Sequence, residues 1–161
     1  MAKKAKQEPD YIAYTDGSAL GNPGPGGYAA VVRCGDQKVT LSKGYYLTTN
    51  NRMEIMAVIA VLEEFGPGKH IEIYSDSEYT IKGATIWAPG WSRTGWISRK
   101  TWQPIKNQDL WKIMLELLAV NKVKFIKVKA HAGIPDNEEA DKLAKDAAKA
   151  PEAHDEQFKA A

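Results

Sequence analysis

A chain of 161 residues with 43% hydrophobic content and a single cysteine, Cys34, is long enough for one domain with its own apolar core and falls outside the disulfide-stapled class. The lysines of the opening MAKKAKQEPD precede no apolar stretch and do not read as a secretory signal, and no run approaches membrane-spanning length, so a cytoplasmic protein away from membranes is expected. The formal charge of +2 hides a split, with 18 Lys+Arg against 12 Asp+Glu in residues 1–135 and 4 against 8 in residues 136–161. A basic body suits a polyanionic partner, though many ordinary domains carry such a patch.

In chain order, residues 1–10 read as a flexible leader. Tyr11 to Thr15 is a short β-prone stretch that runs into Asp16 and the glycine-rich GSALGNPGPGG, predicted as strand and then loop. Two more β-prone segments, Tyr28 to Arg33 and Lys38 to Tyr46, flank a Gly35-Asp36 turn and predict a hairpin. Cys34 beside that turn is expected to be inert packing. Apolar residues on nearly every side of 53–62 predict a buried central helix, broken at Gly66-Pro67-Gly68. His70 to Ser75 alternates as a strand ending before Asp76, and Ser77 can open a second helix. Residues 83–107, with Pro89, Gly90, Gly95 and Pro104, read as irregular and hold four of the five tryptophans. A helix from Gln108 to Val120 with Asn107 as its cap, a strand from Val123 to Val128 and a last helix from Asp136 follow. Residues 151–161 read as a frayed, flexible tail. The order predicts an α/β domain over 11–150, its mixed sheet flanked by helices.

Asp16 and Asp76 each follow a predicted strand, where twisted α/β sheets present functional groups, and carboxylates there suit a hard cation and phosphoryl chemistry. Each candidate also has a plain structural explanation. Asp16 can open an Asx turn and Asp76 can cap the next helix. Asn51 with Glu54 matches a capping box, Asp141 suits a helix dipole, and His131 can be an ordinary surface imidazole.

Their joint context decides between these readings. TDGSALGNPGPGG (15–27), TTNNRMEIMA (48–57), YSDSEY (74–79) and KAHAGIPDNEEADKLA (129–144), in that order, resemble the motif set of type 1 ribonuclease H over about Tyr11 to Ala150. The resemblance implies a ribonuclease H-like fold with a five-stranded mixed sheet, three strands antiparallel and then two parallel. It also implies an endonuclease that cuts the RNA strand of RNA–DNA hybrids. Matched residue by residue, the metal-binding carboxylates fall on Asp16, Glu54, Asp76 and Asp141, and the mobile histidine on His131. Two Mg²⁺ ions, with Mn²⁺ as a possible substitute, are then implied, Asp16 bridging them and the products carrying a 5′-phosphate and a 3′-hydroxyl.

The same resemblance implies that Asn22, Asn50 and Asn51 face the RNA strand, where the 2′-hydroxyl distinguishes RNA from DNA. Trp87, Trp91 and Trp96, in a basic protrusion over about 87–107, match a channel for the DNA strand, and Thr49 with Asn107 matches a pocket for a DNA phosphate. Turn chemistry for the asparagines and core packing for the tryptophans are the alternatives. Two departures stand out. Glu78 occupies a substrate-binding position where many relatives have Gln, so it can accept but not donate hydrogen bonds, and Ala130 replaces a glycine before His131. The rival readings are a non-catalytic module that binds hybrids or structured RNA, and another nuclease or integrase of this fold. A monomer is expected.

Overall fold

The computed structural model describes residues 8–158, so most of the predicted leader and the last three residues of the tail lie outside the described residues. Five strands form one sheet in the order β3-β2-β1-β4-β5: β1 is Tyr11–Ala19, β2 Gly24–Cys34, β3 Gln37–Thr48, β4 His70–Ser75 and β5 Lys122–Lys127. β1, β2 and β3 pair antiparallel, while β4 joins β1 and β5 joins β4 in parallel. The expected sheet is thus the observed one. Its helices are α1 (Asn50–Phe65), α2 (Glu78–Lys82), α3 (Ala88–Arg93), α4 (Gln108–Ala119) and α5 (Pro135–Lys149).

The core lies on one face of the sheet. Ala13, Ala30, Val32, Ile71 and Ile73 from the strands meet Ile55, Val58, Ile59 and Leu62 of α1 and Leu110, Trp111 and Met114 of α4. α1 is buried on most of its surface, as its apolar composition predicts. On the opposite face α5 crosses the antiparallel strands, its Ala140, Ala144 and Ala148 fully buried. It can lie so close because Gly27 and Gly44 present no side chain: a Cβ at either would strike the α5 backbone.

Several local expectations are corrected. β1 does not stop at Thr15 but runs to Ala19, because Gly17, Ser18 and Ala19 stay in register with Tyr28, Gly27 and Gly26 of β2. Asp16 therefore sits within a strand and opens no turn. Thr49, not the Asn51–Glu54 pair, caps α1, its hydroxyl accepting from Arg52 N. Ser77 caps α2 through Thr80 N, which leaves Asp76 without a capping role. Residues 83–93 are helical rather than irregular, since a π-helical turn over Gly83–Trp87 joins α2 to α3 and Pro89 falls in the first turn of α3. Asn107 precedes α4 with φ of 63°, but its side chain makes no cap bond; its backbone carbonyl accepts from Leu110 N and Trp111 N. Cys34 is exposed at the hairpin end, not packed.

The largest correction concerns the tail. Residues 151–158 lie against β3: Glu152 N and Ala153 N donate to Gly44 O, Tyr46 N donates to Ala153 O at 3.0 Å, and Asp155 is buried. Polar composition suggested fraying, but one buried ion pair and a few ladder bonds hold the segment. Among the described residues no helix is long and apolar enough to cross a membrane.

Candidate active site

The ladder between β1 and β4 ends at the pair Tyr14 and Tyr74, whose rings stack at 4.7 Å. Asp16 lies two residues further along β1 and so returns to the face of that stack, while Asp76 follows directly after the last residue of β4. Glu54, near the start of α1, reaches them because α1 presses on β1 at Gly17, where a Cβ would strike the backbone of Met53 and Glu54. Asp16, Glu54 and Asp76 thereby bring one carboxylate oxygen apiece within 4.8 Å of one another. Asp141 of α5 completes the group, close enough to raise the carboxyl pKa of both Asp16 and Asp76. The four acids predicted from separate motifs converge.

Such crowding has an electrostatic signature. Asp16, only 4% exposed, is pushed up to about 7. Burial is the main cause and the Asp76 charge adds to it, while contacts with Glu54 and the Gly17 N–H, at 2.9 Å, work in the opposite direction. Burial and the neighbouring Asp16 raise Glu54 well above the usual carboxylate range. Asp76 rises through burial and Asp141, with His131 and Lys127 partly offsetting both. One Glu54 oxygen is buried with no hydrogen-bond partner. An orphaned acceptor among repelling carboxylates lacks a positive charge, and this all-oxygen donor set fits a hard divalent cation.

The ribonuclease H family model matches residues 8–149. A ribonuclease H of Aeromonas salmonicida is 47% identical over 135 residues, which is 84% of this chain and 87% of the relative. The chain belongs to the ribonuclease H family. A Salmonella arizonae ribonuclease H is 45% identical over 147 residues, 91% of this chain and 94% of that one. Among solved structures, LC9-RNase H1, a type 1 ribonuclease H, superposes with a TM-score of 0.79 at 28% identity, covering 92% of this chain and 76% of that chain. Ribonuclease H1 of Halobacterium salinarum gives 0.64 at 30% identity, covering 87% and 98%. The two bacterial relatives match over nearly the whole sequence, as expected of a type 1 ribonuclease H, and the family implies dependence on a divalent metal.

Other candidates of the ribonuclease H motif set are distributed around the acids. His131 is exposed with φ of 56°, and its Nδ1 lies 4.0 Å from a Glu138 oxygen; His131, Glu138 and Asp141 form a second close group. Sequence reasoning did not single out Glu138, nor Lys145, which donates to Asp141 at 3.0 Å from one helical turn away. Asn22 and Asn50 are tied together, since Asn22 Oδ1 accepts from Asn50 N at 3.1 Å and Asn50 Oδ1 accepts from Ala19 N at 3.0 Å. Asn51 is exposed beside them. Thr49 and Asn107 both bond to Arg52.

The tryptophans divide. Trp87 is exposed, while Trp91 and Trp96 pack partly against the core, Trp91 near Trp111 at 6.4 Å between ring centroids. The core alternative therefore applies in part to Trp91 and Trp96. Glu78 is exposed and ion-paired with Lys82, which together with Lys127 lowers its pKa.

The Gly17 contact makes a test of how the fold builds this site. Gly17→Ala should destabilise the protein by about 1–3 kcal/mol, because the added methyl meets backbone that cannot rotate away, and should lower kcat by moving Glu54 off Asp16. Urea unfolding and hybrid cleavage measure the two effects. Wild-type values in both would show that α1 can retreat without consequence.

Proposed function

We propose that this ribonuclease H hydrolyses the RNA strand of RNA–DNA hybrids internally, as a cytoplasmic monomer, with two Mg²⁺ ions held at Asp16, Glu54, Asp76 and Asp141 when substrate is bound and Mn²⁺ able to replace them. The observation that carries the reading is the clustering of three carboxylates within 4.8 Å, Asp141 beside them and one Glu54 oxygen unpartnered. Acids in a phosphate cleft oppose nucleic-acid binding unless cations neutralise them, which disfavours a purely binding module.

When bound, the cations supply Lewis-acid stabilisation of the phosphate charge and lower the pKa of water. The residues of the chain hold and orient. Gly17 N–H fixes one Asp16 oxygen, Lys145 fixes one Asp141 oxygen, and burial keeps Glu54 in a single place. Attack of water on the phosphorus breaks the bond to the 3′ oxygen, leaving a 5′-phosphate and, after that oxygen takes up a proton, a 3′-hydroxyl. His131, exposed beside Asp141, is the group free to exchange that proton with solvent. Asn22, Asn50 and Asn51 line the RNA side. Trp87, with Trp91 and Trp96 behind it, lies on the DNA side, where Thr49 and Asn107 take a phosphate.

The test is incubation with labelled RNA–DNA hybrid, duplex RNA, duplex DNA and single-stranded RNA, in Mg²⁺ and then in EDTA. Metal-dependent cutting of the hybrid's RNA alone is expected; equal cutting of duplex DNA would favour another nuclease of this fold, and binding without cutting a recognition module. Glu78 offers a finer check. It stands at a position where relatives contact substrate, so Glu78→Gln should tighten hybrid binding roughly twofold at fixed salt, measured as Kd in an Asp16→Asn background. An unchanged Kd would mean that Lys82 already neutralises the carboxylate.

A further inference from the structure

The C-terminal segment 151–158 ends its run along β3 by inserting Asp155 beneath the start of α1. Asp155 accepts from Arg52 Nε at 2.7 Å and from a terminal guanidinium nitrogen at 3.0 Å, and from the Thr48 hydroxyl at 2.8 Å. The rest of the Arg52 fork turns to Asp109, at 2.9 and 2.7 Å, and to Asn107 Oδ1 at 3.3 Å. Asn107 Nδ2 donates to the Tyr79 hydroxyl at 3.1 Å, and Arg52 N donates to Thr49 Oγ1 at 3.2 Å. Both residues assigned above to a DNA phosphate are therefore bonded to one arginine, and Asp155 holds that arginine.

We propose that Asp155 is a positioning residue for the DNA-phosphate pocket, acting through Arg52 on Asn107. The inference rests on the reading of Thr49 and Asn107 given under the proposed function. Arginine can only donate, so the Asn107 side chain must turn its oxygen toward Arg52 and its NH₂ away from it. A phosphate needs donors. An Asn107 free to flip would also present its oxygen, which repels the anion. Holding Arg52 in one rotamer thus fixes the amide the right way round, and the docked segment becomes part of substrate recognition although it touches no substrate.

The sign of the effect separates positioning from bulk charge. Removing the Asp155 carboxylate makes the neighbourhood less negative, so charge alone predicts tighter hybrid binding from Asp155→Asn. Positioning predicts the reverse: KM for hybrid raised about fivefold, the weight of one hydrogen bond, with kcat within twofold of wild type. In an Asn107→Ala background the same substitution should add nothing, because the group it acts through is gone. Assays run at 25 °C on variants shown folded by circular dichroism. Should Asp155→Asn fail to fold, Thr48→Val frees the same carboxylate oxygen without a change of charge and should raise KM at least roughly twofold. An unchanged or lowered KM, or a full additional effect in the Asn107→Ala background, overturns the inference. A wild-type KM in Asn107→Ala itself would instead sink the phosphate-pocket reading and this inference with it, and an absence of hybrid cleavage by the wild type would sink the nuclease reading.

Discussion

Asp16→Asn is expected to reduce hybrid cleavage by at least roughly a thousandfold and yet to make the metal-free protein harder to unfold above pH 7. The loss follows from the place of Asp16 among the acids: it contacts Glu54 and Asp141 and lies within 4.8 Å of Asp76, and no other carboxylate can replace its oxygens. Weakening the hold on a cation that contributes about 4 kcal/mol of transition-state stabilisation is a change of that size. The gain in stability follows from the same crowding. The folded protein binds a proton at Asp16 up to about pH 7, whereas the unfolded chain releases it near the ordinary 3.8. Stability conferred by the protonated form therefore falls as pH rises across that window and is fully lost above it, a penalty of at most about 4 kcal/mol. Asparagine removes the titration. In EDTA at pH 8 the variant should unfold several degrees above the wild type, and the gap should close toward pH 4. A variant less stable than wild type at pH 8 would mean that the acids do not repel one another as their spacing implies.

Arg52→Ala is expected to destabilise the protein by about 3–5 kcal/mol, the usual consequence of removing one partner of a buried ion pair. Arg52 is 2% exposed, and its loss leaves Asp155 and Asp109 facing each other with no cation between them. Burial alone would raise the Asp109 carboxyl, but its bonds to Arg52 outweigh that and hold it below the usual range. A depressed folded pKa contributes stability at neutral pH that disappears as pH falls below about 4 through the folded value. Wild type should accordingly lose more stability than Arg52→Ala on acidification over that range. Urea unfolding at pH 7 and pH 3 measures both, and a difference under about 1 kcal/mol at pH 7 would show that water, not the arginine, satisfies the two acids.

Particular residues show what the sequence could reveal and what it could not. The four acids were legible because each sits in its own ordered motif, and the sheet order was legible because alternation, turn signals and the buried helix gave a consistent element sequence. Strand length was not: GSALGNPGPGG has turn chemistry throughout, and only pairing with β2 keeps Gly17 to Ala19 extended. The helical 83–93 was masked by Pro89 and Gly90, which read as breakers unless the π turn before them is known. Docking of 151–158 was invisible for a different reason, since Asp155 finds its partner Arg52 at a separation of 103 residues and neither carries a local signal. A separation of 55 residues likewise hid the contact by which Arg52 joins Asn107 to the neighbourhood of Thr49.

The central claim is that four acids from β1, α1, the end of β4 and α5 form one cation-binding pocket. Calorimetric titration of Mg²⁺ into the wild type and Asp16→Asn proteins, in two buffers of different ionisation enthalpy at pH 7, tests it most directly. Net proton release on binding by the wild type, with affinity rising from pH 6 to pH 8 and both effects lost in the variant, is the predicted result. Equal Mg²⁺ affinity in the two proteins, with no protons released, would contradict it.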